Sequence, residues 1–209
     1  MAFYSYKMTR DFGFAPNPFG GICTLSTCKP HRRKKAKVGD WIIGTGSKEI
    51  KLTFDSLIYV MKITDKLPLD AYWNDSRFQF KKPLINGSLI TIHGDNVYSK
   101  DTDEKWIQEK CHHSHYDNEI REKHIKNDTE GGFVLISDHF FYFGDENFQV
   151  PAEFTNVCSN VRDYLSPKKL NNDLCEKFIK WIEQNYPRGI NGFPIHWKEY
   201  NQLDIFKFQ

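Results

Sequence analysis

The feature that most constrains the fold of this chain is a loop over residues 13–21 that contains three glycines and two prolines. Proline fixes the backbone angle φ, and glycine permits positive φ values, so a segment this rich in both specifies one shape. Shaped loops that carry polar and aromatic side chains often line binding sites. We therefore expect residues 4–21 to contribute to a ligand site.

Hydrophobic patterning predicts many short strands and few helices. Apolar or alternating segments predict strands at residues 2–8, 22–25, 41–43, 57–63, 88–93, 97–98, 133–137 and 140–143. The clearest helix is predicted from Ser166–Pro167, because serine suits the N-cap and proline the first helical position. Apolar residues then recur on one face as far as Ile182. A short basic helix is predicted from Pro30, and a short helix or ordered loop over residues 67–80.

These elements define the expected fold class. Short strands at irregular spacing, without alternation of strands and helices, argue against a doubly wound sheet. The sequence predicts an α+β fold with a mixed, partly closed β-barrel, peripheral helices and a C-terminal amphipathic helix. We expect a single domain over residues 1–209. Within it we predict a polar insertion at about 100–130, exposed or forming a surface helix, and a helical extension at about 166–209.

Composition narrows the class of protein. Hydrophobic residues make up 39% of the chain and aromatic residues 15%, which is enough for a sizeable core. The five cysteines form no CxxC pair and the N-terminus shows no signal peptide, so we predict free thiols and a cytoplasmic protein. No apolar run approaches ~18 residues, so we expect no membrane partner. The net charge of +2 does not by itself imply a nucleic-acid partner.

Two segments together resemble a known family. Tyr4–Phe19 (YSYKMTRDFGFAPNPF) and Ser137–Gly144 (SDHFFYFG) look like the nucleotide-modification-associated domain of the second type. That family is encoded by bacteria and phages near DNA-modification genes. The resemblance implies a role around modified bases or nucleotides, and it implies no assigned reaction.

A second resemblance concerns the layout of the N-terminal half. A basic run is followed by Lys37–Ile43, by the long strand Leu57–Ile63 and by Trp73–Phe78, as in EVE domains of the PUA-like superfamily. EVE relatives hold a modified base in an aromatic pocket. This resemblance implies a PUA-like pseudo-barrel.

Our leading hypothesis is a non-catalytic module that binds a modified base or nucleotide, free or within a nucleic acid. Aromatic rings stack on bases with ~1–3 kcal/mol each, and cations with backbone amides hold phosphates. The residues predicted to bind the ligand are Lys7, Arg10, Asp11, Asn17, Phe19, Gly20, Gly21, Trp41, Ser47, Trp73 and Arg77. For Trp41 and for Tyr59, another aromatic candidate, the alternative is an ordinary place in the core.

The basic run suggests a further contact with nucleic acid. Arg32, Arg33, Lys34 and Lys35 are predicted to contact the phosphate backbone, and a solvated basic face is the alternative. Gly44–Gly46 is not a dinucleotide fingerprint, since the third glycine and the acidic residue that follows are missing. We therefore predict no cofactor.

Two other functions remain open. The first is an enzyme acting on nucleotides or modified bases, with His139, Asp11 and Lys7 as weak candidates for acid–base catalysis. The second is a structural adaptor of a larger complex.

The spacing of potential ligands argues against a metal site. Cys111, His113 and His115 are weak candidates, but the two ligands of a zinc-binding pair are typically separated by two to five residues. We predict no metal.

Overall fold

The computed structural model describes residues 1–111, 114, 118–161, 165 and 167–199. Its β-strands are β1 (Phe3–Lys7), β2 (Cys23–Leu25), β3 (Trp41–Thr45), β4 (Ser56–Lys62), β5 (Asp65–Pro68), β6 (Tyr98–Lys100), β7 (Trp106–Gln108), β8 (Phe133–Ser137), β9 (His139–Tyr142), β10 (Phe148–Gln149) and β11 (Gly189–Ile190). Its α-helices are α1 (Pro30–Lys35), α2 (Leu69–Asn74), α3 (Leu89–Ile92), α4 (Asn118–Glu130) and α5 (Asn172–Asn185).

The chain divides into two compact units, each built from segments that are distant in sequence. The first unit comprises Met1–Phe12, Trp41–Met61 and the described residues from Phe140 onward. The second unit comprises Gly13–Asp40 and Lys62–His139. The single domain expected over the whole chain stays a prediction.

The first unit contains a sheet of mixed direction with the strand order β1-β3-β4-β9-β11, and β10 also pairs with β4. β1 and β3 are parallel, with Phe3 opposite Trp41. The apolar face of α5 packs on the core through Cys175, Phe178 and Ile182, which recur at helical spacing and are fully buried. The amphipathic C-terminal helix is thus present and supports this unit.

The second unit contains a three-stranded antiparallel sheet of order β2-β8-β5 and the hairpin β6–β7. Cys23 lies opposite Ser137 in this sheet, and Leu67 lies opposite Val134. Helices α1 to α4 complete the unit. The polar segment at 100–130 contributes β7 and α4, and its nature as an insertion stays a prediction.

The α+β class is confirmed, but the partly closed barrel is wrong. Every sheet in the described ranges is open, because no strand order returns to its first strand. Parallel pairing requires a crossover connection between the two strands. Between β1 and β3 that connection is the stretch 13–40, which supplies β2 and α1 to the second unit instead of the next barrel strand. The PUA- and EVE-like layout is not confirmed.

Two predicted elements differ from the structure. Residues 88–93 were expected to form a strand but contain α3, whose N-cap Ser88 accepts a hydrogen bond from the Thr91 amide. The C-terminal helix begins at Asn172 rather than at Ser166–Pro167. Asn171 is its N-cap, and its side chain accepts from the Leu174 amide. Ser166 lies outside the described residues.

Among the described residues, no helix is both long and apolar enough to cross a lipid bilayer.

Candidate functional site

The glycine- and proline-rich loop of the second unit is closed at its base by backbone pairing. The Asn17 amide donates to the Thr24 carbonyl at 2.8 Å, and the Thr24 amide donates to the Asn17 carbonyl at 2.9 Å. Gly20 and Gly21 form an exposed tip, with φ values of 74° and 77° that glycine adopts without strain. The loop therefore has a defined base and a defined tip.

A buried lysine joins this loop to the 3₁₀ helix Ser76–Lys81. Lys81 is 2% exposed, and its Nζ donates to Oδ1 of Asn17 at 2.7 Å and to the Asn17 carbonyl at 3.0 Å. Burial lowers the pKa of the Lys81 ammonium from 10.5 to about 8, while the charges of Asp95 and Cys23 act in the opposite direction. Asn17, a predicted ligand contact, thus has its side-chain oxygen engaged inside the protein.

A buried carboxylate forms the second half of this network. Asp95 accepts hydrogen bonds from the Tyr72 hydroxyl and from the Thr24 hydroxyl, both at 2.8 Å. The Ser26 hydroxyl donates to the Asp95 carbonyl at 2.6 Å. Burial raises the pKa of Asp95, and the charge of Lys81 opposes that rise. Because hydrogen bonds in a low-dielectric interior strengthen one another, the network fixes β2, α2 and the 3₁₀ helix as one frame.

Beside this frame, aromatic rings reach solvent. Trp73 is half-buried, and Nζ of Lys82 lies 3.6 Å from the centroid of its ring. Phe80 is 48% exposed. A Cβ added to Gly20 would lie 2.1 Å from Cε2 of Phe80, so this ring rests on the glycine. We call Trp73, Phe80, Lys82 and the loop tip Gly20–Gly21 the aromatic face.

Arg77 also belongs to the second unit, but its guanidinium forms ion pairs with two carboxylates. Its Nη2 lies 2.8 Å from Oδ2 of Asp75 and 3.2 Å from Oδ2 of Asp65. Hydrogen bonds from Arg77 lower the pKa of Asp75. Arg77 as a ligand contact stays a prediction, and we leave it out of the aromatic face.

The predicted ligand residues are divided between the two units. The second unit contains Asn17, Phe19, Gly20, Gly21, Trp73 and Arg77. The first unit contains Lys7, Arg10, Asp11, Trp41 and Ser47.

Within the first unit, several predicted contacts are buried. Trp41 is 3% exposed and belongs to the hydrophobic core, which was the alternative for this residue. Tyr59 is also buried, and its hydroxyl lies 2.6 Å from that of Tyr6. Ser47 is buried as well. We therefore do not assign these side chains to a ligand surface.

Asp11 holds the C-terminal segment in place. Its carboxylate accepts hydrogen bonds from the Tyr142 hydroxyl at 2.6 Å and from the Ile195 amide at 3.1 Å. Nδ1 of His196 lies 3.0 Å from the Asp11 carbonyl, and the Trp197 indole donates to the Phe12 carbonyl at 3.0 Å. Both carboxylate oxygens of Asp11 are thus used by the fold.

The three weak catalytic candidates are not brought into one unit. Asp11 and Lys7 belong to the first unit and His139 to the second. Nζ of Lys7 donates to the Asn160 carbonyl at 3.0 Å. The amide of His139 donates to Oγ of Ser137 at 3.1 Å, at the start of β9. No acid–base pair of these residues is formed within either unit.

The two arginines of the basic run are buried. Arg33 is 0% exposed, and Nε donates to the Cys28 carbonyl at 2.8 Å while Nη1 donates to the Phe133 carbonyl at 2.7 Å. Arg32 is also buried. Burial removes both side chains from solvent and so disfavours a contact with phosphate, and the backbone contact of Arg33 and Arg32 stays a prediction. Lys34 and Lys35 are exposed, and their role stays a prediction.

The metal candidates lie mostly outside the described residues. His113 and His115 fall there, and Cys111 is buried and forms no disulfide bond. In the part of the chain that the structure describes, no group of three potential ligands is placed to hold a metal ion.

Sequence reasoning missed five residues of this region: Tyr72, Phe80, Lys81, Lys82 and Asp95. A signal was present for three of them, Phe80, Lys81 and Lys82, since Arg77–Lys82 interleaves aromatic and basic residues, a pattern typical of nucleic-acid contacts. Nothing in the sequence distinguishes the buried Lys81 from the neighbouring Lys82.

A comparison with protein families gives one match. The family model described as nucleotide modification associated domain 2 matches residues 1–201. The match includes both segments that carried the first resemblance and confirms it. No curated protein and no solved structure matches this chain.

Proposed function

The chain belongs to the nucleotide modification associated domain 2 family, and on this premise we propose that it is a module that binds a modified base or nucleotide. The family name associates the chain with nucleotide modification. The proposed site is the aromatic face of the second unit.

The observation that carries this proposal is the pairing of Trp73 with Lys82. Every base has a π-face, and stacking on an aromatic side chain is worth ~1–3 kcal/mol per base. The Lys82 ammonium, 3.6 Å from the ring centroid, covers one face of the Trp73 ring, so a base stacks on this face by displacing Lys82, whose charge is then available to the phosphate. Phe80 offers a second exposed ring, on the 3₁₀ helix Ser76–Lys81 that follows α2.

The loop tip adds hydrogen-bond donors to the rings. The amides of Gly20 and Gly21 are exposed and donate to no backbone carbonyl within the described ranges. Oriented amides of this kind bind anionic or carbonyl oxygens. The rings thus provide affinity for any base, and hydrogen bonds from the loop amides to a substituent of the base distinguish a modified base from an unmodified one.

The frame beneath the face supports precise recognition. Lys81 and Asp95 fix the loop and the 3₁₀ helix through buried hydrogen bonds, so the rings are held before a ligand binds. A pre-ordered site avoids part of the entropy cost of binding.

An acid–base mechanism is not part of the proposal. Its candidates are divided between the units, and the Asp11 carboxylate accepts two hydrogen bonds from the fold.

Replacing the exposed rings tests the site. We expect Trp73→Ala and Phe80→Ala each to weaken binding of a modified single-stranded oligonucleotide by roughly 5- to 150-fold, because each removes a stacking contact. Titration calorimetry measures the affinity, and circular dichroism verifies that each variant is folded. Phe193→Ala removes an exposed aromatic of the first unit and is the matched control, expected to bind like the wild type. Unchanged affinity in both face variants would contradict the assignment.

A further inference from the structure

The geometry points to a second ligand site, in the first unit: a cleft that binds a nucleoside monophosphate. This inference does not depend on the aromatic face, because none of the residues that line the cleft belongs to the second unit.

The cleft has a volume of about 440 Å³ and is lined by residue 54, by residues 155, 156, 158, 160 and 165, and by residues 169, 171 and 174. Its volume lies within the range of ~300–1,000 Å³ that small-molecule sites occupy. A single small molecule is the occupant that this volume fits.

The polar lining is rich in groups that both donate and accept hydrogen bonds. Thr155, Asn156 and Asn160 line the cleft, and within the described ranges their side chains form no hydrogen bond to the protein. A carboxamide presents one acceptor and two donor hydrogens, which matches the mixed edge of a nucleobase and the hydroxyls of a sugar. The carboxamides and the hydroxyl that line the cleft thus favour a nucleoside over a small carboxylic acid.

The charge of the lining favours an anion. Lys169 is exposed and forms no ion pair in the described part of the chain, and the described residues that line the cleft include no carboxylate. Asp55 lies close enough for its charge to help raise the pKa of the Cys158 thiol, although it is not part of the lining. Among the described lining residues Lys169 is the one cation, which suits a single phosphate better than a chain of phosphates.

An apolar side completes the cleft. Phe54 is 36% exposed at this site, and Leu165 and Leu174 are half-buried. An aromatic ring that remains partly exposed beside aliphatic side chains offers a base both a stacking partner and apolar contact. The ring, the carboxamides and the lysine correspond to the base, the sugar and the phosphate of one nucleotide.

Two adjacent lysines provide a matched test. Calorimetric titration of the full chain with AMP, GMP, CMP and dTMP is expected to give saturable binding for at least one. For that nucleotide, Lys169→Ala is expected to weaken the affinity about tenfold, since a charge-assisted contact to phosphate is lost. Lys168→Ala removes an exposed lysine that does not line the cleft and is expected to bind like the wild type. The corresponding nucleoside is expected to bind Lys169→Ala and the wild type equally.

Three outcomes would overturn the inference: no saturable binding by any of the four nucleotides, equal affinities in the two lysine variants, or unchanged affinity in Asn160→Ala. The variant Trp73→Ala separates this site from the aromatic face, because it is expected to bind the mononucleotide as tightly as the wild type does. The cleft would be contradicted if Trp73→Ala lost mononucleotide binding while Lys169→Ala kept it. Failure of the cleft leaves the oligonucleotide test of the aromatic face unaffected.

Discussion

Arg33→Ala is expected to lower the free energy of unfolding by about 3–5 kcal/mol, because removing one partner of a buried ion pair leaves the other uncompensated. The Arg33 guanidinium donates to the carbonyls of Cys28, Phe133 and Asp128. It also lies 4.0 Å from the Asp128 carboxylate. Alanine would leave those carbonyls and that carboxylate in a cavity. Urea denaturation followed by circular dichroism measures the loss.

The neighbouring lysine is the control for this prediction. Lys35 is exposed and lies two residues further along α1, so Lys35→Ala is expected to change the free energy of unfolding by no more than about 0.5 kcal/mol. If Arg33→Ala were as stable as Lys35→Ala, the stabilising role of the buried Arg33 side chain would be refuted, and a contact of Arg33 with phosphate would again be the better explanation.

Alkaline pH is expected to destabilise the protein through its buried thiols. Burial raises the pKa of Cys23, Cys158 and Cys175 from 9.0 to about 12. The folded chain therefore retains these protons to higher pH than the unfolded chain. Their stabilising contribution is complete below pH 9 and is lost as the pH rises towards 12. Between pH 8 and pH 10 the loss is about 1–2 kcal/mol per thiol, or about 4 kcal/mol for the three.

Lys81 acts in the opposite direction over the same interval. Its folded pKa of about 8 lies below its ordinary value of 10.5, so the energetic cost of burying its charge is relieved as the pH rises. This gain is about 2 kcal/mol. Burial also raises the pKa of Cys28 from 9.0 to about 11, which adds a loss of about 1 kcal/mol, so the net loss for the four thiols and Lys81 is about 3 kcal/mol between pH 8 and pH 10. Urea denaturation under reducing conditions at both pH values measures the difference.

A cysteine variant isolates the thiol contribution. In Cys158→Ala/Cys175→Ala, the thiol-dependent loss between pH 8 and pH 10 is expected to be smaller by about 3 kcal/mol than in the wild type. An identical pH dependence in both proteins would show that these thiols do not cause it.

The hydrophobic periodicity and the composition of the sequence were sufficient to predict most strands. β3 and β4 were recognised because their apolar runs are short and bounded by turn residues, which is typical of strands buried on both faces. The same reasoning failed for α3, since a run of four apolar residues fits a strand and a helical turn equally well. α5 was recognised from its apolar face, but its start was misplaced because Asn171 is as good an N-cap as serine.

The site was harder to predict because its frame is tertiary. Lys81 and Arg33 each lie beside lysines of similar character, so no local pattern marks them as buried. Their partners are distant in sequence: Asn17 is 64 residues from Lys81, and Phe133 is 100 residues from Arg33. Trp73 and the loop tip were predicted because a half-polar aromatic segment and paired glycines are local signals.

The most direct test of the proposed function compares matched single-stranded oligonucleotides that differ by one base modification. A panel of methylated, hydroxymethylated and amino-substituted bases is titrated against the wild type and Trp73→Ala by fluorescence anisotropy. We predict that at least one modification binds the wild type about tenfold more tightly than its unmodified partner, and that Trp73→Ala reduces this preference to about one. Equal affinities for every pair, or a preference that survives in Trp73→Ala, would contradict recognition of a modified base at the aromatic face. In that case the exposed Leu84, Ile85 and Ile90 would favour the structural adaptor instead.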